Sequence, residues 1–322
     1  LDETYVYSAQ VARRKKDGTL SAECLSKMMI VDETPQPSRN ALQHAIDIAN
    51  AYSAELTIVN ITNADAVLDS FDVFEDMTDE KVKDLTKLAK DKSGYVLEKA
   101  MDAVPENLMV HTVQLVSTPE IGILSEADKC NADLIVMGRR GSNSLSEQLL
   151  GSASTYVLAH AKCPVLLAHN EKEGPYQRIL VPADGSEESL KAVRYAVEFA
   201  KADGASVTIF HVANMRDLIA EETALDQKKR GLEDLTDRLR QSADRVFALC
   251  KAAIADQKDG VDIHFVANIG RPGPTILKKA EKDGSDLLIM GSRGRSGLAS
   301  ILLGSVSRYI TTHSGLPVMI VK

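Results

Sequence analysis

Residues 291–305 read GSRGRSGLASILLGS, with Gly291, Gly294 and Gly304 at fixed spacing and Ser305 directly after the last. An apolar run, Leu287-Leu288-Ile289-Met290, precedes the stretch, and a segment of helical character, Val306 to Thr312, follows it. The glycines therefore fall in a loop that leaves a buried strand and enters a helix. Such a loop exposes backbone N–H groups, and a helix N-terminus favours negative charge. The stretch is predicted to cradle a phosphate. The same pattern, G-x2-G-x9-G-S, occurs at Gly138, Gly141, Gly151 and Ser152, after Leu134-Ile135-Val136-Met137.

Working outward from the two loops, the halves of the chain align. DLIVMGRRG at 133–141 matches DLLIMGSRG at 286–294, and LLGSASTYVLAHAKCPVLL matches LLGSVSRYITTHSGLPVMI. Each half alternates short apolar runs with segments of helical period, which predicts a parallel sheet covered by helices on both faces. The polar stretch HNEKEGPYQ separates the halves. The expected organisation is an N-terminal arm over 1–27, a first domain over 28–169, a linker over 170–177 and a second domain over 178–322. The arm carries Arg13-Arg14-Lys15-Lys16 without an apolar core, so it does not read as a secretory signal, and a hairpin is expected around Asp17-Gly18.

Composition narrows the function. The 322 residues suffice for two cores, and the net charge of −8 with 4% aromatics argues against a nucleic-acid surface. No apolar stretch reaches the roughly 20 residues of a membrane span. Four separated cysteines show neither metal spacing nor a disulfide framework and suit a reducing cytoplasm. No G-x4-G-K-[ST], no G-x-G-x-x-G after a strand and no G-x-S-x-G elbow occurs, and no nucleophile stands beside a base. No catalytic or metal site is expected. Ser152 and Ser305 read as helix N-caps, Asp184 as a ligand contact, a turn-former or the N-cap of helix 187–203, and His160 and His313 as structural.

The two glycine loops, Asp184 at the end of the VPADGS strand and the closing Cys/Leu-Pro-Val strands resemble the universal stress protein family in its tandem form. The resemblance spans about residues 27–169 and 177–322. It implies an α/β fold of two Rossmann-like (adenine nucleotide α-hydrolase-like) domains, each a five-stranded parallel sheet of order 3-2-1-4-5 with helices on both faces. That order sets the first and fourth strands side by side at a topological switch point, with Asp184 facing the loop. The resemblance implies an ATP or other adenine-nucleotide site, with Mg²⁺ as a candidate companion, at Asp184, Gly291, Gly294, Gly304 and Ser305. Val212 is placed against adenine, and Arg293 and Arg295 add charge.

In the first half Gly138, Gly141, Gly151 and Ser152 match, but Glu33 stands in place of Asp184 and Glu147 lies within the loop. Both loops are therefore expected to be able to bind, the second better, with an empty first site as the alternative. The implied function is a nucleotide-dependent binding module in stress response. A slow ATPase or autophosphorylating enzyme and a nucleotide-free scaffold remain the alternatives. The edges Val165-Leu166-Leu167 and Val318-Met319-Ile320 are expected to pair within the chain as a pseudo-dimer, with further homodimerisation open.

Overall fold

The computed structural model describes residues 5–6, 27–31, 35–63, 93–139, 150–169, 174–214, 232–294 and 303–322. It divides into two compact units, Leu1–Gly174 and Pro175–Lys322. Among the described residues no helix is long and apolar enough to cross a membrane.

In the first unit, β2 (Lys27–Val31), β3 (Glu55–Asn63), β4 (Val110–Ser117), β5 (Leu134–Gly138) and β6 (Val165–Ala168) are the sheet strands. The parallel ladders run β4-β3-β2-β5-β6. In the second unit, β7 (Arg178–Pro182), β8 (Ser206–Ala213), β9 (Asp262–Ile269), β10 (Leu287–Gly291) and β11 (Val318–Val321) pair as β9-β8-β7-β10-β11, again parallel. The registers agree between units: Met28 faces Leu56 and Leu134, as Ile179 faces Val207 and Leu287. Asn60 thus matches His211 in register, while Glu33, aligned with Asp184 by sequence, lies outside the described residues.

The central strands read as continuous apolar runs because helices cover both of their faces. Every residue of β5 and of β10 is buried. Each large aliphatic side chain there contributes about 1.5–3 kcal/mol of burial. Helix α1 (Pro35–Tyr52) lies on β2 and β5 and buries Ala41, Ala45, Ile46 and Ala49. Residues 93–101 are helical and run through Gly94, where the sequence allowed an interruption. Helices α2 (Pro119–Lys129) and α3 (Ser152–His160) pack together. In the second unit α4 (Glu187–Asp203) packs on β10 and on α5 (Leu232–Ala253), while α6 (Pro272–Asp283) packs on α7 (Ser305–His313).

Two boundaries differ from the sequence reading. Pro175, Tyr176 and Gln177, assigned there to the linker, belong to the second unit. Tyr176 is 2% exposed, stands against Phe199, and its N–H donates to the Asp203 carboxylate at 2.7 Å. A Gly-Pro pair marks a turn, but an aromatic that fills a core pocket anchors the residues after it.

The second difference lies in the arm. Tyr5–Val6 forms β1 and pairs antiparallel with β3, Val6 opposite Ile61 and Tyr5 opposite Thr62. Ile61 and Thr62 give their other edge to β4, and β2 pairs earlier along β3. β1 therefore lies beyond the carboxyl end of β2, on the side where the crevice between β2 and β5 opens. The hairpin expected near Asp17-Gly18 lies outside the described residues.

Candidate functional site

The second unit's site grows from two chain reversals at the carboxyl ends of adjacent strands. After β7, the Ala183 N–H donates to Phe210 at 3.0 Å, which carries the chain one residue further along β8. The chain then turns at Gly185, whose φ of +82° favours glycine. Asp184 closes the turn: its Oδ1 accepts from the Ser186 N–H at 3.0 Å and from the Ser186 hydroxyl at 2.6 Å. Ser186 is the N-cap of α4 and accepts from the Ser189 N–H. Asp184 is thus neither a bare turn residue nor the cap itself; it orients the cap.

The second reversal follows β10. Gly291 is the last strand residue, and Ser292 continues the ladder by donating to Val321 at 2.9 Å. The far end of the loop returns to the same place, with Gly304 N–H donating to the Ser292 carbonyl at 2.8 Å. The Ser307 hydroxyl, one turn into α7, donates to the Gly291 carbonyl at 2.9 Å. The first unit repeats this stitching: Gly151 N–H donates to Arg139 at 3.2 Å and the Ser154 hydroxyl to Gly138 at 3.2 Å.

Each loop glycine has its own reason to lack a side chain. A Cβ on Gly291 would lie 2.7 Å from the backbone carbon and 2.8 Å from the carbonyl oxygen of Glu188. Gly291 therefore lets the first turn of α4 sit on the strand end, and its bareness serves packing. A Cβ on Gly294 would lie 2.5 Å from Asp184 Oδ2. This close approach brings the loop and the first-strand aspartate together. Gly304 meets the loop's own backbone at Arg293 and Ser292, at 3.3 and 3.4 Å.

The serines expected as N-caps are not caps. Gly304 and Gly151 hold the extended cap conformation, and Ser305 and Ser152 are the first helical, exposed residues of α7 and α3. A glycine cap offers no oxygen to the first turn, so both helices open without a side-chain cap bond. Their leading N–H groups and the positive end of the helix dipole are left for an anion.

Three further groups, which the sequence reading did not single out, bear on this site. Glu188 pairs with Arg293, Oε1 to Nη2, at 3.3 Å. His211, buried on β8, donates from Nδ1 to the Ala183 carbonyl at 2.9 Å, and its Nε2 lies 3.1 Å from the Ser242 hydroxyl of α5. Leu249 and Val246 of α5 stand within contact range of a Cβ placed on Gly185. Cys250 beside them is fully buried, and burial first, with the Asp184 carboxylate second, pushes its thiol up to about 11. These residues come from elements far apart in sequence, so no local motif marks them.

Val212 is half-buried at the end of β8. In the first unit the matching Ile61 is the residue that β1 pairs with. His160 and His313 each hold the carbonyl of Tyr156 or Tyr309 one turn back, at 2.9 and 2.8 Å, and stack on that tyrosine. Arg295, Gly141, Arg140 and Glu147 lie outside the described residues. Among the described residues no group of three His, Cys, Asp or Glu could hold a metal ion.

A sheet order repeated in both units, with a glycine-capped helix start after the fourth strand in each and an aspartate against the loop in the second, agrees with the family comparison. The model of the universal stress protein family matches residues 26–169 and again 175–322. The chain belongs to the universal stress protein family. A family member of Mycobacterium tuberculosis is 26% identical over 279 residues, covering 83% of this chain and 87% of that one. Another, from Mycolicibacterium smegmatis, is 29% identical over 204 residues, covering 62% of this chain and 64% of that one. A crystal structure of a universal stress protein from Archaeoglobus fulgidus shares the fold, with a TM-score of 0.62 and 21% identity over 89% of this chain and 95% of that one.

Proposed function

We propose that the second unit binds an adenine nucleotide, ATP foremost, and that this universal stress protein acts as a nucleotide-dependent binding module in stress response rather than as an efficient enzyme. One observation carries the reading: the start of α7, capped by Gly304 without a side-chain cap bond, lies beside Gly294, and Gly294 closely approaches Asp184. Phosphate at the α7 N-terminus and ribose near Asp184 would place adenine toward Val212. Any Mg²⁺ would come with the phosphates, with Asp184 as a carboxylate across the loop. Ordering of the loop by ligand would shift an equilibrium that a protein partner reads.

The first unit is the weaker site in this reading. The loop-to-strand hydrogen bonds of Gly151 and Ser154 repeat those of Gly304 and Ser307, but β1 occupies the backbone edge of β3 at Ile61, the counterpart of Val212. The test is to denature the purified protein and to identify and count the released nucleotide per chain by chromatography with mass spectrometry. One adenine nucleotide per chain is expected, lost in Gly304→Val and kept in Gly151→Val. Two per chain would overturn the asymmetry. None, with no thermal shift on adding ATP, would favour a scaffold, and steady turnover of saturating Mg²⁺–ATP would favour an enzyme.

A further inference from the structure

The Glu188–Arg293 pair sets an acid on the rim of a site otherwise built for an anion. Glu188 belongs to the first turn of α4, and its backbone is packed onto Gly291 closely enough that no Cβ fits between them. The turn is further pinned by Ser186, which Asp184 holds. The Glu188 carboxylate is therefore stationed beside the loop. Its side chain is 21% exposed and that of Arg293 38%, so water screens the pair only in part. Arg293 is two residues past the strand end and next to Gly294, the residue that touches Asp184.

We infer that Glu188 is a specificity-determining residue, an internal competitor that holds Arg293 until a ligand with a terminal phosphate takes the guanidinium from it. This inference rests on the reading that the second unit binds an adenine nucleotide. The exchange has a clear energetic order. A ligand that offers Arg293 one carboxylate-like charge merely replaces what Glu188 already supplies. A terminal phosphate brings close to two charges at neutral pH and three acceptor oxygens. Guanidinium binds such a group through two parallel hydrogen bonds. A nucleoside, with no anion to offer, leaves the pair intact. Glu188 thus lowers affinity for phosphorylated ligands without touching nucleoside affinity. On exchange it regains a free charge at the N-terminus of α4. The first unit has Pro37, which carries no charge, at the matching position.

The test is calorimetric titration of the full chain, with adenosine and with ATP in Mg²⁺, for wild type, Glu188→Gln, Arg293→Gln and the double variant. Glu188→Gln is expected to tighten ATP about fivefold, equivalent to about 1 kcal/mol, and to leave adenosine unchanged. Arg293→Gln is expected to weaken ATP, and in its presence Glu188→Gln is expected to have no further effect. A fold defect would shift adenosine and ATP together. Nucleotide held by the first unit would give a component that none of the variants changes. ATP binding that is unchanged or weaker in Glu188→Gln would overturn the competitor role while leaving the nucleotide reading standing. Absence of ATP binding from wild type and Glu188→Gln alike would overturn both. ATP binding that appears only in Glu188→Gln would support the competitor role at its strongest.

Discussion

Asn60 on β3 and His211 on β8 hold the same register position, and they do different work. Each meets a serine of the covering helix: Asn60 accepts from Ser93 at 2.5 Å, and His211 lies 3.1 Å from Ser242. His211 goes on to hold the Ala183 carbonyl, directly before Asp184, so the aspartate's turn is tied to β8 and α5 together. Asn60 is wholly buried, and its amide nitrogen has no hydrogen-bond partner among the described residues. The first unit has a strand arm at Ile61 and a proline at the Glu188 position; the second has Val212 half-buried at the end of β8 and a charged pair on its loop. One scaffold thus carries one unit with an added strand at the end of β3 and one built around a braced carboxylate turn.

The comparison is broken most directly by removing the arm. Deleting residues 1–7 uncovers the Ile61 edge and is expected to raise the nucleotide count from one to two per chain. A count that stays at one would place the first unit's deficit in its loop and its Glu33 turn instead.

Gly291→Val is expected to cost the second unit about 3 kcal/mol of stability in denaturant unfolding, because a branched side chain must push Glu188's main chain off the strand end. If Gly138→Val costs the first unit as much, strand-end glycines serve helix packing in both; a smaller cost would make the contact particular to the Glu188 turn.

Cys250 supplies a pH test. Its thiol is raised from an ordinary value near 9 to about 11. The unfolded chain therefore loses this proton first as pH rises. The stabilisation is fully present below about pH 9 and is lost as pH approaches 11, a decline of about 2 kcal/mol. Subtracting the alkaline melting curve of Cys250→Ala from that of wild type should isolate it. The first unit carries Met101 at the same distance from its helix serine and contributes no such decline.

The smallest effect separates the two buried polar pairs. His211→Val leaves the Ala183 carbonyl and Ser242 without their partner and is expected to cost about 2 kcal/mol. Asn60→Val removes a single hydrogen bond along with an unbonded amide, and is expected to cost about 1 kcal/mol or less. Equal costs in equilibrium unfolding would mean that the imidazole bridge adds nothing beyond the serine contact.

The sequence by itself determined the repeat, the parallel α/β class and the loops' place between strand and helix. Those follow from local rules: unbroken apolar runs for strands buried on both faces, helical period for their covers, glycine where backbone must approach backbone. It also pointed to Asp184 and the glycine loop as partners, because both end strands that the doubly wound order makes neighbours. Only the tertiary structure decided what each glycine approaches, that Gly304 rather than Ser305 caps α7, that Tyr176 belongs to a core, and that β1 lies at Ile61. The physical reason is common to all of them. Glu188 and Arg293 are 105 positions apart, and His211 and Ser242 are 31 apart. An ion pair or a buried hydrogen bond between distant segments leaves no period and no spacing in the chain; it exists once the sheet has set its register and the helices have settled on it.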